Sequence, residues 1–304
     1  MFNYKLYGLT LASEFELPLP PTVDNDTVHV TLSLSADIET MLSDSYLLNA
    51  YQIDQNQNVL FTGPFGHFLV KSGQTLQLKL HSDKQLSLAI QYILGSGMAI
   101  ILYQRETLVI HSSAVCKNGE ATLIVGKSGL GKSTTAAILQ TAGYQLLSDD
   151  LSVITFKDGQ PWVNPGHPTQ KIGTDVLSDM KIPITKDKKT TADGRDKYFH
   201  RASAFSMKPT PVKYIYHLLK SDVDQSVFRQ ESELRKFHQL YRNSFRFKLI
   251  KHLGFSQKHL SLCQQLFKQT SVSFLLRPEA KLDLGGTIKA ITDHQEKSEY
   301  TTHD

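Results

Sequence analysis

The alternation of apolar and polar residues divides the chain into three regions. Short β-like runs at Phe2 to Leu11, Val28 to Leu34, Val59 to Phe61, His67 to Lys71 and Thr75 to His81 are separated by Pro, Gly and Asn turns. They predict a β-rich N-terminal subdomain over residues 1–84. From Gln85 to Tyr103 the apolar spacing favours a helix, weakened by Gly95 and Gly97, which leads into a second domain over 85–304. The core of that domain closes with a strand at Val212 to Leu219. Amphipathic helices follow at Glu231 to His252 and Gln257 to Gln269, separated by Gly254. A strand at Val272 to Leu276, a break at Pro278 and a helix at Leu284 to His294 complete a helical C-terminal part.

Inside the core, Thr107 to Val115 and Ala121 to Val125 are β-rich runs joined through Lys117-Asn118-Gly119-Glu120, and Asn-Gly is a strong hairpin signal. The next residues, Gly126 to Thr134, read Gly-Lys-Ser-Gly-Leu-Gly-Lys-Ser-Thr, the spacing of a phosphate-binding loop, and Lys132 to Thr141 reads as its exit helix. Glycine has no Cβ, so the backbone can turn its N–H groups onto phosphate oxygens. Lys132 can extend over the β- and γ-phosphates, Ser133 can hold Mg²⁺, and the helix N-terminus adds positive potential. ATP with Mg²⁺ is the expected ligand, with Gly126, Ser128, Gly129, Gly131, Lys132, Ser133 and Thr134 as its contacts. Antiparallel pairing of the hairpin places His111 where the loop begins, within reach of the γ-phosphate; a lone strand histidine is otherwise structural.

Gln145 to Ser148, Asp149-Asp150 and Leu151 to Ile154 read as one strand of a parallel sheet with two adjacent carboxylates near its middle. A carboxylate there can reach the γ-phosphate edge and ligate Mg²⁺ directly or through water. Neighbouring side chains on a regular strand face opposite ways, so both acids reach one site only at a bend or strand end. The competing reading is a solvated turn, against which the apolar flanks argue. Lys186 to Arg201, dense in Lys, Thr, Asp and Gly, predicts a mobile surface loop. Its Arg195 and Lys197 either close over the γ-phosphate or belong to a solvated charge run.

The 304 residues, 40% hydrophobic, suffice for a sizeable core. Cys116 and Cys263 make no disulfide framework, and the twelve histidines show no zinc-like spacing. No stretch near eighteen apolar residues and no export segment is found in this reading, so a cytoplasmic protein without a membrane partner is expected. The net charge of +4 is unevenly placed, with Lys and Arg clustered at Lys186 to Arg201 and Arg235 to Lys258. Such faces could attract an acidic peptide or solvate a helix. No fold motif supports nucleic-acid binding.

The run from His111 to Asp150 resembles the catalytic core of HPr kinase/phosphorylase and its relatives. It carries His-Ser-Ser-Ala-Val, the Asn-Gly turn, the phosphate loop, Gly-Tyr and Leu-Leu-Ser-Asp-Asp. Asn164 to Ile172, Asp193 to Tyr198 and Tyr7 to Glu14 resemble a branch of that family encoded with ribosomal peptide natural products, including lasso peptide kinases. The resemblance implies an α/β fold with a phosphate-loop, HPr-kinase/PEP-carboxykinase-like mixed-sheet core. It implies transfer of the γ-phosphate of ATP to a peptide hydroxyl, the C-terminal Ser of a precursor peptide, with Lys132 and Ser133 on triphosphate and metal. His111, Asp149 and Asp150 would line the site where acceptor meets γ-phosphate, Asp149 as base or orienter of the hydroxyl and Asp150 with Ser133 as metal ligands, or the two acids in reverse order. No equivalent of the Gly-Arg region of the bifunctional enzymes is found, which speaks against phosphorylase activity and hexamers and leaves a homo-oligomer open. The carboxylate pair would serve any alcohol, so a small-molecule kinase and a nucleotide-driven switch or scaffold are the competing readings.

Overall fold

The N-terminal alternation folds as one mixed sheet. In the computed structural model, which describes all residues except 23–25, 40, 180–188, 193–194, 280–282 and 301–304, eight strands pair. They are β1 (Phe2–Leu6), β2 (Leu9–Ser13), β3 (Val30–Leu34), β4 (Tyr46–Leu48), β5 (Tyr51–Ile53), β6 (Val59–Gly63), β7 (Gly66–Lys71) and β8 (Thr75–Leu80), in the order β1-β2-β3-β8-β7-β6-β5-β4. β3 lies parallel to both β2 and β8, and the other pairs are antiparallel. The alternation is visible in β8, where Leu76 and Leu78 are buried and Thr75 is exposed. The expected helix is present but not uniform: α1 (Leu86–Tyr92) and α2 (Met98–Gln104) are joined by a π-helical turn at Ile93–Gly97. Gly97 allows close approach, since a Cβ there would meet Leu76 Cδ1 at 2.8 Å. Asp83–Gln104 is therefore one helical run of 22 residues, long and apolar enough by length and composition to cross a membrane, which corrects the reading that no such stretch exists. Met98 to Tyr103 of that run are core residues.

By its internal contacts the chain forms two units, Met1–Val109 with Val153–Thr155 and Ser244–Cys263, and Ile110–Ser152 with Phe156–Asn243 and Gln264–Asp304. The boundary expected at 84/85 thus differs from the one found. Residues 85–109 stay with the N-terminal sheet because the apolar face of α2 packs on it, and Gln104 Oε1 accepts from Gly73 N at 2.6 Å. β9 (Leu108–Ile110) ends this stretch.

In the second unit, β10 (Ser112–Lys117) and β11 (Glu120–Val125) form the expected hairpin, with Ser112 opposite Val125. α3 (Lys132–Thr141) follows, then β12 (Gln145–Ser148), β13 (Ser152–Lys157), β14 (Gln160–Asn164), β15 (Thr169–Gly173), α4 (Thr174–Asp179), β16 (Lys189–Ala192), β17 (Arg195–Arg201), β18 (Thr210–Ser221), β19 (Val227–Arg229) and α5 (Glu233–Arg242). β12 pairs antiparallel with β10, not within a parallel sheet as expected, whereas β11 lies parallel to β18. The Lys186 to Arg201 segment is not simply a loop: β16 and β17 pair antiparallel and, with β15, make a three-stranded sheet. Residues 186–188 and 193–194 of that prediction lie outside the described residues.

A single helix over Glu231 to His252 is predicted by periodicity, yet the chain breaks after α5. Asn243 caps α5 and Arg246 takes a left-handed φ of 48° before α6 (Phe247–His252). With α6 and the start of α7 (Ser256–Lys268) the chain is back in the first unit, where Phe245 N donates to Val109 O at 3.0 Å and the Tyr103 hydroxyl donates to the Phe245 carbonyl. The second unit resumes with β20 (Ser271–Pro278), parallel to β18, and α8 (Leu284–Tyr300), six residues longer than predicted. Ile124, Leu139, Tyr216, Leu275 and Ile291 meet in its core between the sheet, α3 and α8.

Candidate active site

The predicted phosphate loop lies between β11 and α3, and its glycines are conformationally required. Gly126, Gly129 and Gly131 have φ of 147°, 85° and 90°. A Cβ on Gly126 would meet Leu218 O at 3.2 Å, and one on Gly131 would meet Arg277 Nη1 at 2.9 Å. Lys127 and Ser128 are exposed at the tip, while Ser133 and Thr134 are half-buried. Lys132, 8% exposed, folds back so that Nζ donates to Gly126 O at 2.9 Å and lies 3.0 Å from His111 Nε2. Burial lowers its pKa; Asp150 and Asp149 oppose this, and the charge of Lys197 adds to it.

His111 follows β9 and precedes the hairpin strand, so the register that puts Ser112 opposite Val125 sets it beside the start of the loop. Its Nδ1 lies 2.9 Å from Asp150 O and 3.3 Å from Asp150 Oδ1. Burial and Lys132 lower its pKa against the opposing pull of Asp150, which keeps the ring neutral. A lysine ammonium only donates, so Nε2 is the acceptor and Nδ1–H donates to Asp150. Asn243 fastens this corner from afar: its carbonyl accepts from His111 N at 2.7 Å and its Oδ1 from Gly126 N at 3.1 Å.

The acids stand at a turn, not in mid-strand. β12 ends at Ser148, Asp150 takes φ 71°, and β13 starts at Ser152, with the Ser148 and Ser152 hydroxyls 2.9 Å apart. Asp149, 3% exposed, accepts from Ser113 Oγ at 2.5 Å on one oxygen and from Lys171 N at 3.1 Å on the other. Asp150 is more open, and its second oxygen lies 3.3 Å from Lys171 Nζ. Burial works to raise its pKa, but Lys171, His111 and Lys132 prevail and hold the carboxyl below the usual range. His167 is half-buried in the field of Asp149 and Lys171, and desolvation lowers its pKa.

The structure thus brings together His111, Lys132, Asp149 and Asp150. Lys197, on β17 opposite Gly173, lies within electrostatic range of Lys132. Arg195 pairs by its backbone with Ala192, and its side chain lies outside the described residues. Sequence reasoning missed Ser113, Lys171, Asn243 and Arg277. It also missed Gln170, whose side chain donates to Ser133 O at 3.4 Å. Lys171 and Gln170 fall in Asn164 to Ile172, the segment singled out by resemblance; Asn243 and Arg277 have no local signal.

Among the described residues no group of three or more His, Cys, Asp or Glu could hold a metal by itself. Mg²⁺ takes one or two protein oxygens and completes its shell with phosphates and water. Asp150 carboxylate and Ser133 hydroxyl are hard donors of that kind, and the left-handed glycines make a cradle that side chains would fill.

No protein-family model matches this chain, and no curated protein matches it. Among solved structures it is similar to the HPr(Ser) kinase/phosphatase from Coxiella burnetii, at 16% identity over 63% of this chain and 98% of that one, with a TM-score of 0.33, a likeness too low to assign fold or activity.

Proposed function

We propose that this protein is an ATP-dependent kinase that transfers the γ-phosphoryl group to an alcohol, and that the alcohol is a peptide hydroxyl, the C-terminal Ser of a ribosomal natural-product precursor. The observation that carries the kinase reading is the unbroken line Asp150–His111–Lys132, which joins a carboxylate to the lysine of a phosphate loop through one neutral imidazole. Lys132 neutralises charge on the β- and γ-phosphates, and the loop amides fix the phosphate tail. Bound Mg²⁺, held by Ser133 and Asp150, supplies further charge neutralisation. His111 orients Asp150, whose depressed pKa keeps it ionised as a ligand. Asp149 retains lone pairs beyond those used by Ser113 and Lys171 and orients the acceptor hydroxyl. The hydroxyl oxygen bonds to the γ-phosphorus as the bond to the β,γ-bridging oxygen breaks. ADP leaves with that electron pair, and the hydroxyl proton passes to Asp149 and on to water.

The peptide acceptor rests on the resemblance of Asn164 to Ile172, Asp193 to Tyr198 and Tyr7 to Glu14 to precursor-peptide kinases. Mass spectrometry of Ser-terminated peptides incubated with ATP and Mg²⁺ tests it. A gain of about 80 Da, one phosphoryl group, that disappears with Lys132→Ala and with Asp149→Asn is the expected result. Phosphorylation of small alcohols but of no peptide would overturn the acceptor assignment, and ADP release without any phosphorylated product would overturn the kinase reading.

A further inference from the structure

Arg277 sits on β20 opposite Lys220 of β18, 6% exposed, and reaches beneath the first turn of α3. Its Nη1 donates to Thr135 Oγ1 at 2.8 Å and lies 3.4 Å from Gly131 O, the carbonyl to which Thr135 Oγ1 itself donates at 2.9 Å. Its buried Nε–H has no hydrogen-bond partner among the described residues. The guanidinium therefore braces the last glycine of the loop from below, where any side chain on that glycine would strike it.

This is an unfavourable place for a cation. The N-terminus of α3 already presents the positive end of its dipole, Lys132 adds a second charge there, and desolvating a guanidinium is costly. Asp283 is the acid whose field reaches Arg277, and that carboxylate also accepts from Ser226 N at 2.7 Å and Gly286 N at 3.0 Å. Three positive sources stacked on one loop repel one another until a polyanion lies on that loop, and then all three attract it.

We propose that Arg277 is a positioning residue that holds the loop in its phosphate-binding shape and supplies buried charge to the phosphate tail of the nucleotide. The inference rests on the nucleotide-binding reading above and adds to it a residue from a distant strand. Its signature is an effect graded by phosphate number that the charge-keeping Arg277→Lys largely escapes and the neutral, donor-keeping Arg277→Gln does not.

Calorimetric titration of ATP, ADP and AMP into the full chain and into Arg277→Lys, Arg277→Met and Arg277→Gln tests this, with thermal melting alongside. Arg277→Gln keeps a donor for Thr135 without the charge and serves if Arg277→Met fails to fold. The neutral variants should weaken ATP about tenfold or more, ADP less and AMP least, and Arg277→Lys should stay within about threefold of wild type for ATP. Equal weakening of all three nucleotides, no weakening, or equal loss in Arg277→Lys and Arg277→Gln overturns the inference alone. A wild-type chain that binds none of the three overturns the nucleotide reading and this inference with it.

Discussion

Ser113→Ala tests whether the Ser113 hydroxyl holds the Asp149 carboxylate in place. The Ser113 hydroxyl lies 2.5 Å from Asp149 Oδ1, and Ser113 is itself inaccessible, so water cannot readily replace the lost donor. A hydrogen bond to an ionised group contributes about 1.5–3 kcal/mol, against about 0.5–1.5 kcal/mol for a neutral pair. Ser113→Ala should therefore cost the second unit about 2 kcal/mol, and a domain of this size would melt about 4–8 °C lower. In the Asp149→Asn background the acceptor is neutral, and the same substitution should cost about 1 kcal/mol, leaving a coupling of about 1 kcal/mol between the two positions. Trp162, the single tryptophan, lies in β14 of the second unit and reports its unfolding in urea. A Ser113→Ala cost below about 0.5 kcal/mol, or the same cost in both backgrounds, would show that the carboxylate is not held in this way.

His217 is 2% exposed, and burial pushes its imidazole from 6.5 down to about 4. The unfolded chain therefore takes up the proton first, so this contribution to stability is fully present above about pH 6.5 and is lost as pH falls toward 4, by up to about 3 kcal/mol. Trp162-monitored urea titrations from pH 7.5 to 4.5 should show that slope in wild type and a flatter one in His217→Gln; parallel profiles would refute the assignment. Gly126→Ala forces an L-residue to φ 147° with its Cβ against Leu218 O, and should cost about 1–3 kcal/mol in the same unfolding assay along with a loss of ATP affinity. A variant as stable as wild type and unchanged in ATP binding would remove the geometric requirement at that position.

What was legible in the sequence was what is contiguous. The phosphate loop is one nonapeptide between a strand and a helix, and the Asn118-Gly119 turn fixes the hairpin register that sets His111 beside it. Arg246 breaks a periodicity that otherwise reads as helix from Glu231 to His252, and nothing local marks it. Lys189–Ala192 and Arg195–Arg201 are strands in a segment whose polar composition reads as a loop. Ser113, Asn243 and Arg277 join the site only through tertiary contacts, which no window along the chain can contain.

The acid pair shows why backbone conformation decides the chemistry. On a continuous strand Asp149 and Asp150 would face opposite sides of the sheet, and one of them would be lost to the site. Aspartate is among the few residues that enter the left-handed region at modest cost, and at φ 71° Asp150 turns the chain between β12 and β13 with its carboxylate toward His111. A third segment then reads both acids at once: Lys171 gives its backbone N–H to Asp149 and its ammonium to Asp150. The same residue thus fixes one carboxylate by geometry and holds the other ionised by charge. In the proposed kinase the two adjacent aspartates would divide their work, the buried one orienting a hydroxyl and the open one binding metal, and β15 supplies each with a different partner.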